Sequence, residues 1–236
     1  PKPAMIKLFK ETFQKYTEGI QIRPKRIVKD NEDYYEWRLT AYLDKTFEKL
    51  IPDKNKIPEK YLHSEKAFYS LLAALTDCEG SIILRPLNEN LVVRVIYKVG
   101  MTSKNVMETI HRKLKSLGFK SHLNIEGPDP RYRKKKSMYI IRLYGREAYR
   151  LVRELKPYMK HAEKLEKIKL YQRYIELRRS KGKIQAYEIL KKELEKLKKK
   201  INEETRKSRE KAKQQYQKEK PQLFLQHHHH LLYNTF

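Results

Sequence analysis

Apolar residues recur at helical spacing in the stretch that precedes Gly80. Four of them share one face at intervals of three and four residues, namely Phe68, Leu71, Leu72 and Leu75. This spacing is typical of an α-helix with one buried side. Ser64 is the predicted N-cap and Gly80 the predicted end, after which SIIL favours a strand. The pattern therefore predicts a helix that leads directly into a sheet.

Two further segments show apolar residues at intervals of three, four and three. The first set is Ile6, Phe9, Phe13 and Tyr16, and the second is Met107, Ile110, Leu114 and Leu117. Both predict amphipathic helices, which Gly19 and Gly118 would end. Alternating apolar and polar residues after each glycine predict paired strands, over 20–29 and 35–39 in the first case and 119–125 and 139–143 in the second.

These elements form an internal repeat of helix, strand, strand and helix. Residues 5–51, with a short helix over 43–51, correspond to residues 103–156, and WRL at 37–39 corresponds to IRL at 141–143. The second copy is complete, since the 65–79 helix and strands at 82–85 and 91–99 precede it. The predicted domains are a partial repeat over 1–60, a complete repeat over 61–180 and a basic helical extension over 181–236.

Residues 72–80, LAALTDCEG, resemble the motif of the LAGLIDADG homing endonucleases position by position. Ala74 replaces the middle glycine, and Glu79 supplies the second acid. The resemblance implies an α+β fold, with an αββαββα unit whose curved antiparallel sheet binds DNA. It also implies a site-specific endonuclease that cuts double-stranded DNA and serves intron or intein mobility.

The resemblance further implies roles for particular residues. Glu79, with Gly80 beside it, would bind Mg²⁺ or Mn²⁺ for phosphodiester hydrolysis, and Lys160 or Lys164 would be the lysine that the family keeps near its active site. Met101 stands where relatives often carry a polar residue, which weakens the catalytic case. Two motif helices pack together in this family, and the small residues expected at that interface are Ala67, Ser70, Ala74 and Asp77.

The charge of the chain independently indicates a polyanionic partner. Lys and Arg number 55 against 29 acidic residues, giving a formal net charge of +26. A thermophile surface would raise both signs together and does not explain this excess. We expect polar strand residues on one face to contact DNA bases and phosphates: Arg23, Lys25, Glu36, Arg38, Arg85, Arg94, Lys98, Lys120, His122, Asn124 and Arg142.

The first motif helix and first two strands of the two-repeat form are not found in this sequence. They would lie upstream, come from another chain, or be lost in a protein that no longer cuts. The alternatives are therefore a non-cutting DNA-binding protein, an RNA maturase acting on an intron, or a protein-interaction module on the 187–201 helix. The single cysteine and the lack of a signal peptide or long apolar run predict a cytoplasmic protein.

The C-terminal part is rich in charge. Leu190, Leu194, Leu197 and Ile201 keep a heptad spacing after Tyr187, which is too short to predict a coiled coil. Residues 202–220 lose this stripe and predict a solvated, partly disordered basic arm. The histidines at 227–230 predict an exposed tail in preference to a structural zinc site.

Overall fold

The computed structural model describes residues 2–29, 32–45, 55–128 and 136–232, with side chains left aside at 29 and 220–232. The chain forms two compact units. The hairpin unit is Pro1–Lys45 with Leu197–Phe236, and the sheet unit is Thr46–Lys196. In the described ranges, no helix is both long and apolar enough to cross a membrane.

The sheet unit contains the complete repeat predicted from the sequence. Its elements in chain order are α2 (Glu65–Glu79), β3 (Ser81–Leu87), β4 (Val92–Met101), α3 (Lys104–Ser116), β5 (His122–Glu126), β6 (Met138–Tyr144), α4 (Gly145–Leu155), α5 (Ala162–Ser180) and the first part of α6 (Gly182–Leu232). The strands form one antiparallel sheet in the order β3-β4-β6-β5. The αββαββα prediction for this region is confirmed.

One face of this sheet is covered by helices, because its alternate side chains are apolar. Val95, Tyr97 and Val99 of β4 are buried against Phe68 and Leu72 of α2 in a single core. A buried hydrogen bond of 2.8 Å joins the Tyr97 hydroxyl to Thr76 Oγ1. The other face, which we call the open face, carries the polar residues of the same strands.

The hairpin unit contains α1 (Pro3–Phe13), β1 (Ile20–Lys29), β2 (Glu32–Ala41) and the second part of α6. β1 and β2 are antiparallel, and Ile20 lies opposite Ala41. The predicted strand pair is therefore confirmed, in the same order as α3, β5 and β6. Most of the predicted 43–51 helix lies outside the described residues, which resume at 55.

Two sequence predictions were wrong in detail. α1 ends at Phe13, and Tyr16 is 58% exposed, because the chain turns where Thr17 Oγ1 accepts a hydrogen bond from the Gly19 N–H. Phe119 and Lys120 precede β5 and do not belong to it. Phe119 is instead buried after the left-handed Gly118, with its N–H bonded to the Leu114 carbonyl.

The C-terminal arm predicted over 202–220 is helical, as part of α6. Tertiary contacts supply the stabilisation that its sequence lacks: Ala212 is fully buried, and the Trp37 indole N–H donates to Ser208. In the sheet unit, Tyr187 and Leu190 at the start of α6 are buried in the core. That apolar face is used within the chain, which removes the main basis for a protein-interaction module over 187–201.

Candidate nucleic-acid interface

The open face of the sheet unit brings most of the predicted DNA-contacting residues together in cross-strand rows. Residues that pair directly across antiparallel strands lie side by side on one face. Arg85 lies opposite Arg94, and Lys98 lies between Ser81 and Arg142. His122 extends that second row, opposite Arg142. Five of the residues predicted to contact DNA thus lie in two cross-strand rows within this unit.

Three pairs of cations face each other directly across neighbouring strands. Two are on the open face, Arg85 with Arg94 and Lys98 with Arg142, and the third is Arg23 with Arg38 in the hairpin unit. Like charges directly opposite each other destabilise a sheet. A bound polyanion would pair with both cations of such a pair and would thereby relieve the repulsion between them.

Glu126 partly neutralises one of these pairs, and the sequence reading missed it. Its Oε1 lies 2.7 Å from Arg142 and 3.6 Å from Lys98 Nζ. Because Glu126 follows His122 and Asn124 at strand spacing, the alternation that selected those two residues could also have found it. The open face therefore contains an acid that is paired with two of its cations.

Asn124 and His122 lie on the open face, whereas Lys120, which was also predicted to contact DNA, lies outside the strands. Asn124 lies opposite Ile140 on the open face, and the His122 ring is 5.9 Å from the Tyr144 ring. Lys120 is exposed outside the strand, and its backbone N–H donates to the Glu147 carboxylate at 3.1 Å. The structure therefore places Lys120 at the end of the sheet and not within a row.

The four predicted contacts of the hairpin unit share one face of their strand pair. Arg23 lies opposite Arg38, and Lys25 lies opposite Glu36. The other face holds Trp37, which bonds Ser208, and Tyr35, whose ring is 5.6 Å from that of Tyr216. α6 thus covers the aromatic face and leaves the charged face uncovered by that helix.

α2 delivers Glu79 to the edge of the open face. Ser64 caps the helix by accepting the Ala67 N–H at 3.1 Å, and the helix ends at Glu79, which is exposed. Two residues later Ser81 already belongs to the open face beside Lys98. Gly80 is required between them, since an added Cβ would lie 2.7 Å from the Thr76 Cα. The helix thus ends with an exposed carboxylate two residues before the strand position that lies opposite Lys98.

The two acids of the motif have separate environments. Asp77 is only 5% exposed, and its Oδ2 accepts the Lys160 N–H at 2.6 Å, just before α5. Lys164 is also buried and donates to the carbonyl oxygens of Thr76 and Asp77 at 2.5 and 2.7 Å. The Asp77 carboxylate thus holds the segment before α5 by a hydrogen bond, while the Lys164 side chain caps the end of α2.

Burial shifts the pKa values of Lys164, His161 and Cys78, which lie around the contact between α2 and the start of α5. It lowers the pKa of Lys164, although the nearby Asp77 charge opposes the change. Burial also lowers the pKa of His161, and the Lys164 charge adds to that effect. Burial raises the pKa of the Cys78 thiol, helped by Glu79 and Asp77. Among the described residues, Asp77 Oδ1 and His161 Nδ1 are buried without a hydrogen-bond partner.

The small-residue stripe predicted for a second helix is only partly reproduced. Ser70 and Ala74 are exposed and Ala67 is half-buried. Asp77 was assigned to this stripe, but it is buried against the segment before α5. The exposed stripe continues at Cys78 instead, because positions four residues apart on a helix lie above one another.

A divalent metal would find one accessible motif carboxylate in this chain. Within the described ranges, no group of three or more His, Cys, Asp or Glu side chains could hold a metal ion. Mg²⁺ is commonly bound by one or two carboxylates and several waters. Glu79 therefore fits one half of a site to which a second chain segment or the DNA would contribute further oxygens.

Comparison with known proteins gives structural matches only. No family model and no curated protein matches this chain. One similar structure is the homing endonuclease I-CvuI in complex with its target in the presence of Ca, with 19% identity, 65% of this chain and 94% of that chain covered, and a TM-score of 0.38. Another is the LAGLIDADG meganuclease I-CpaMI bound to uncleaved DNA, with 15% identity, coverages of 49% and 38%, and a TM-score of 0.34.

These structural neighbours are LAGLIDADG homing endonucleases. Identity and TM-score are low in both matches, and neither match assigns a function to this chain. The LAGLIDADG-like segment over 72–80 is the one that ends α2 at Glu79. The roles predicted for Glu79, Gly80, Lys160 and Lys164 stay predictions.

Proposed function

We propose that this protein binds duplex DNA through the open face and acts as a site-specific endonuclease of the LAGLIDADG homing type. The observation that carries DNA binding is the set of cations placed directly opposite one another, Arg85 with Arg94 and Lys98 with Arg142. Phosphate oxygens would relieve the repulsion between Arg85 and Arg94, and they would replace Glu126 as the partner of Lys98 and Arg142. The net charge of +26 supports the same partner.

The cleavage step would depend on Glu79. The carboxylate is exposed at the end of α2 and lies two residues before the open face, so DNA on that face would bring a phosphodiester close to it. Mg²⁺ or Mn²⁺ held by Glu79 beside Gly80 would activate water and stabilise the leaving oxygen. A second carboxylate would come from another motif helix packed on Ala67, Ser70 and Ala74.

A binding test compares two double variants that lose the same charge. Arg85→Gln with Arg94→Gln removes the first cationic pair, and Arg112→Gln with Arg179→Gln removes two exposed arginines from α3 and α5. With short random-sequence duplexes, on which Arg85 and Arg94 contact phosphates in place of the guanines of a specific site, the first variant should lower the slope of log affinity against log salt by about two. The control should retain the wild-type slope. Equal effects in both variants would contradict the assigned interface.

A cleavage test uses Glu79→Gln on a library of randomised duplex sites with Mg²⁺. The amide keeps the side-chain shape but loses the charge that holds the metal, so cutting should stop while DNA affinity changes little. Glu89→Gln is the matched control, at an exposed turn between β3 and β4. Cutting by Glu79→Gln would contradict the assignment. Binding without any cutting by a wild type that is dimeric on the DNA, and so has both motif helices, would favour the non-cutting protein.

A further inference from the structure

A row of apolar side chains crosses the open face between the two basic rows. Ile83 lies opposite Ile96, which in turn lies opposite Tyr144, so the three residues are neighbours on adjacent strands. Ile83 and Tyr144 are each 42% exposed, and Ile96 is partly exposed. Large apolar side chains are thus presented to the outside in the middle of a charged surface.

The flanking charges determine what can cover this row. Arg85 and Arg94 lie two residues along the strands on one side, and Lys98 and Arg142 lie two residues along on the other. An apolar protein surface placed on the row would have to desolvate these cations without pairing them, at a cost of several kcal/mol per ion. A duplex pairs the cations with phosphate oxygens or guanine and also covers the row.

The 5-methyl group of thymine is the apolar group that bases present in the major groove. We infer that Ile83, Ile96 and Tyr144 recognise thymine methyl groups and give this protein a preference for A·T pairs at the centre of its contact surface. This inference rests on the proposed function, because it requires the open face to lie in the major groove. It adds a source of specificity that does not use hydrogen bonds.

The strand geometry also predicts the spacing between the preferred A·T pairs and a G·C pair in the DNA target. Residues two apart on a strand are separated by about 6.6 Å, close to two steps of about 3.4 Å along DNA. If the strands follow the groove, Arg85 and Arg94 reach bases about two pairs away from those below Ile83. Because arginine prefers guanine, the target should contain A·T pairs with a G·C pair about two positions to one side.

The test compares alternating poly(dA-dT) with alternating poly(dA-dU), which have the same charge and the same hydrogen-bonding groups. Wild-type protein should bind the thymine duplex about fourfold more tightly for each methyl that it contacts, the effect expected for burying one methyl group. Ile83→Ser should reduce this discrimination. The control is Ile125→Ser, because Ile125 is 64% exposed and pairs with Tyr139 on the opposite face.

The outcomes separate this inference from the proposed function. Failure to bind either duplex would contradict DNA binding itself, whereas equal binding of both would overturn only the methyl recognition. Equal loss of discrimination in Ile83→Ser and Ile125→Ser would also overturn it. A second measurement needs no variant: uracil placed singly at each thymine of a selected site should weaken wild-type binding at one or two adjacent positions only, and a uniform effect would contradict the inference.

Discussion

The Lys164 ammonium group lies 2.5 Å from the carbonyl oxygen of Thr76 and 2.7 Å from that of Asp77. These oxygens belong to the last turn of α2, where backbone donors become scarce, and the Thr76 oxygen also accepts the Gly80 N–H at 2.9 Å. The Asp77 side chain accepts a further hydrogen bond, from the Lys160 N–H. Three hydrogen bonds, all donated by Lys160 and Lys164 to oxygens of α2, therefore fix the end of the helix that carries Glu79 to the start of α5.

Lys164→Met should lower the free energy of unfolding by about 1–3 kcal/mol, because the Asp77 carbonyl oxygen loses the Lys164 donor and the Thr76 oxygen keeps only the Gly80 N–H. The decrease in stability is limited to this range because the substitution also removes the desolvation free energy that the buried ammonium group costs. Urea unfolding measures the change. Lys160→Met is the control, since this residue is exposed and contributes its backbone N–H to Asp77. A similar loss in the control would contradict the capping role.

The free energy of unfolding should fall as the pH is lowered below about 6.5. Burial and Lys164 lower the pKa of His161 from 6.5, so the unfolded chain takes up a proton that the folded protein does not, and acid favours unfolding. The slope can reach about 1.4 kcal/mol per pH unit. His161→Gln should reduce it, leaving the part due to His111, whose pKa burial also lowers. His63→Gln, at an exposed position, is the control.

Glu126→Gln should strengthen binding to duplex DNA. The change removes a negative charge from the open face and releases Lys98 and Arg142 for phosphate. A gain of up to about fivefold is expected, which corresponds to the free energy of one surface ion pair. Glu108→Gln on α3 removes the same charge from a helix surface and should have a smaller effect. Weaker binding by Glu126→Gln would show that Glu126 positions the two cations for DNA.

Affinity for duplex DNA should depend steeply on salt. With six to ten phosphate contacts, binding weakens by about 10³ to 10⁵ between 50 and 200 mM salt. Fluorescence anisotropy with a labelled random-sequence duplex measures this dependence. A flat affinity across that range would contradict the predicted interface.

Trp37 should report on the packing of α6 within the hairpin unit. It is the single tryptophan of the chain, and its indole N–H donates to Ser208 at 3.1 Å. Ala212→Lys places a charge at a fully buried position and should detach the helix, which would shift Trp37 emission to longer wavelength. Gln214→Lys adds the same charge at an exposed position and should leave the emission unchanged.

The sequence could predict features that depend on local periodicity. The spacing of Phe68, Leu72 and Leu75 specified α2, and the alternation around Arg94 and Arg142 specified β4 and β6, because helix and strand faces repeat with fixed periods. The motif-like segment over 72–80 also located Glu79 at a helix end. For such local features the order of residues is enough.

Other features depended on residues far apart in the chain. The sequence assigned Asp77 to a helix interface and residues 202–220 to a disordered arm, but it contains no local sign of the Lys160 N–H that binds Asp77 or of the Trp37 indole that binds Ser208. Which cations face each other, and which apolar residues lie between them, followed from strand register alone. Tertiary structure decided these points because the energies of burial, register and helix capping arise from contacts that form only when distant segments meet.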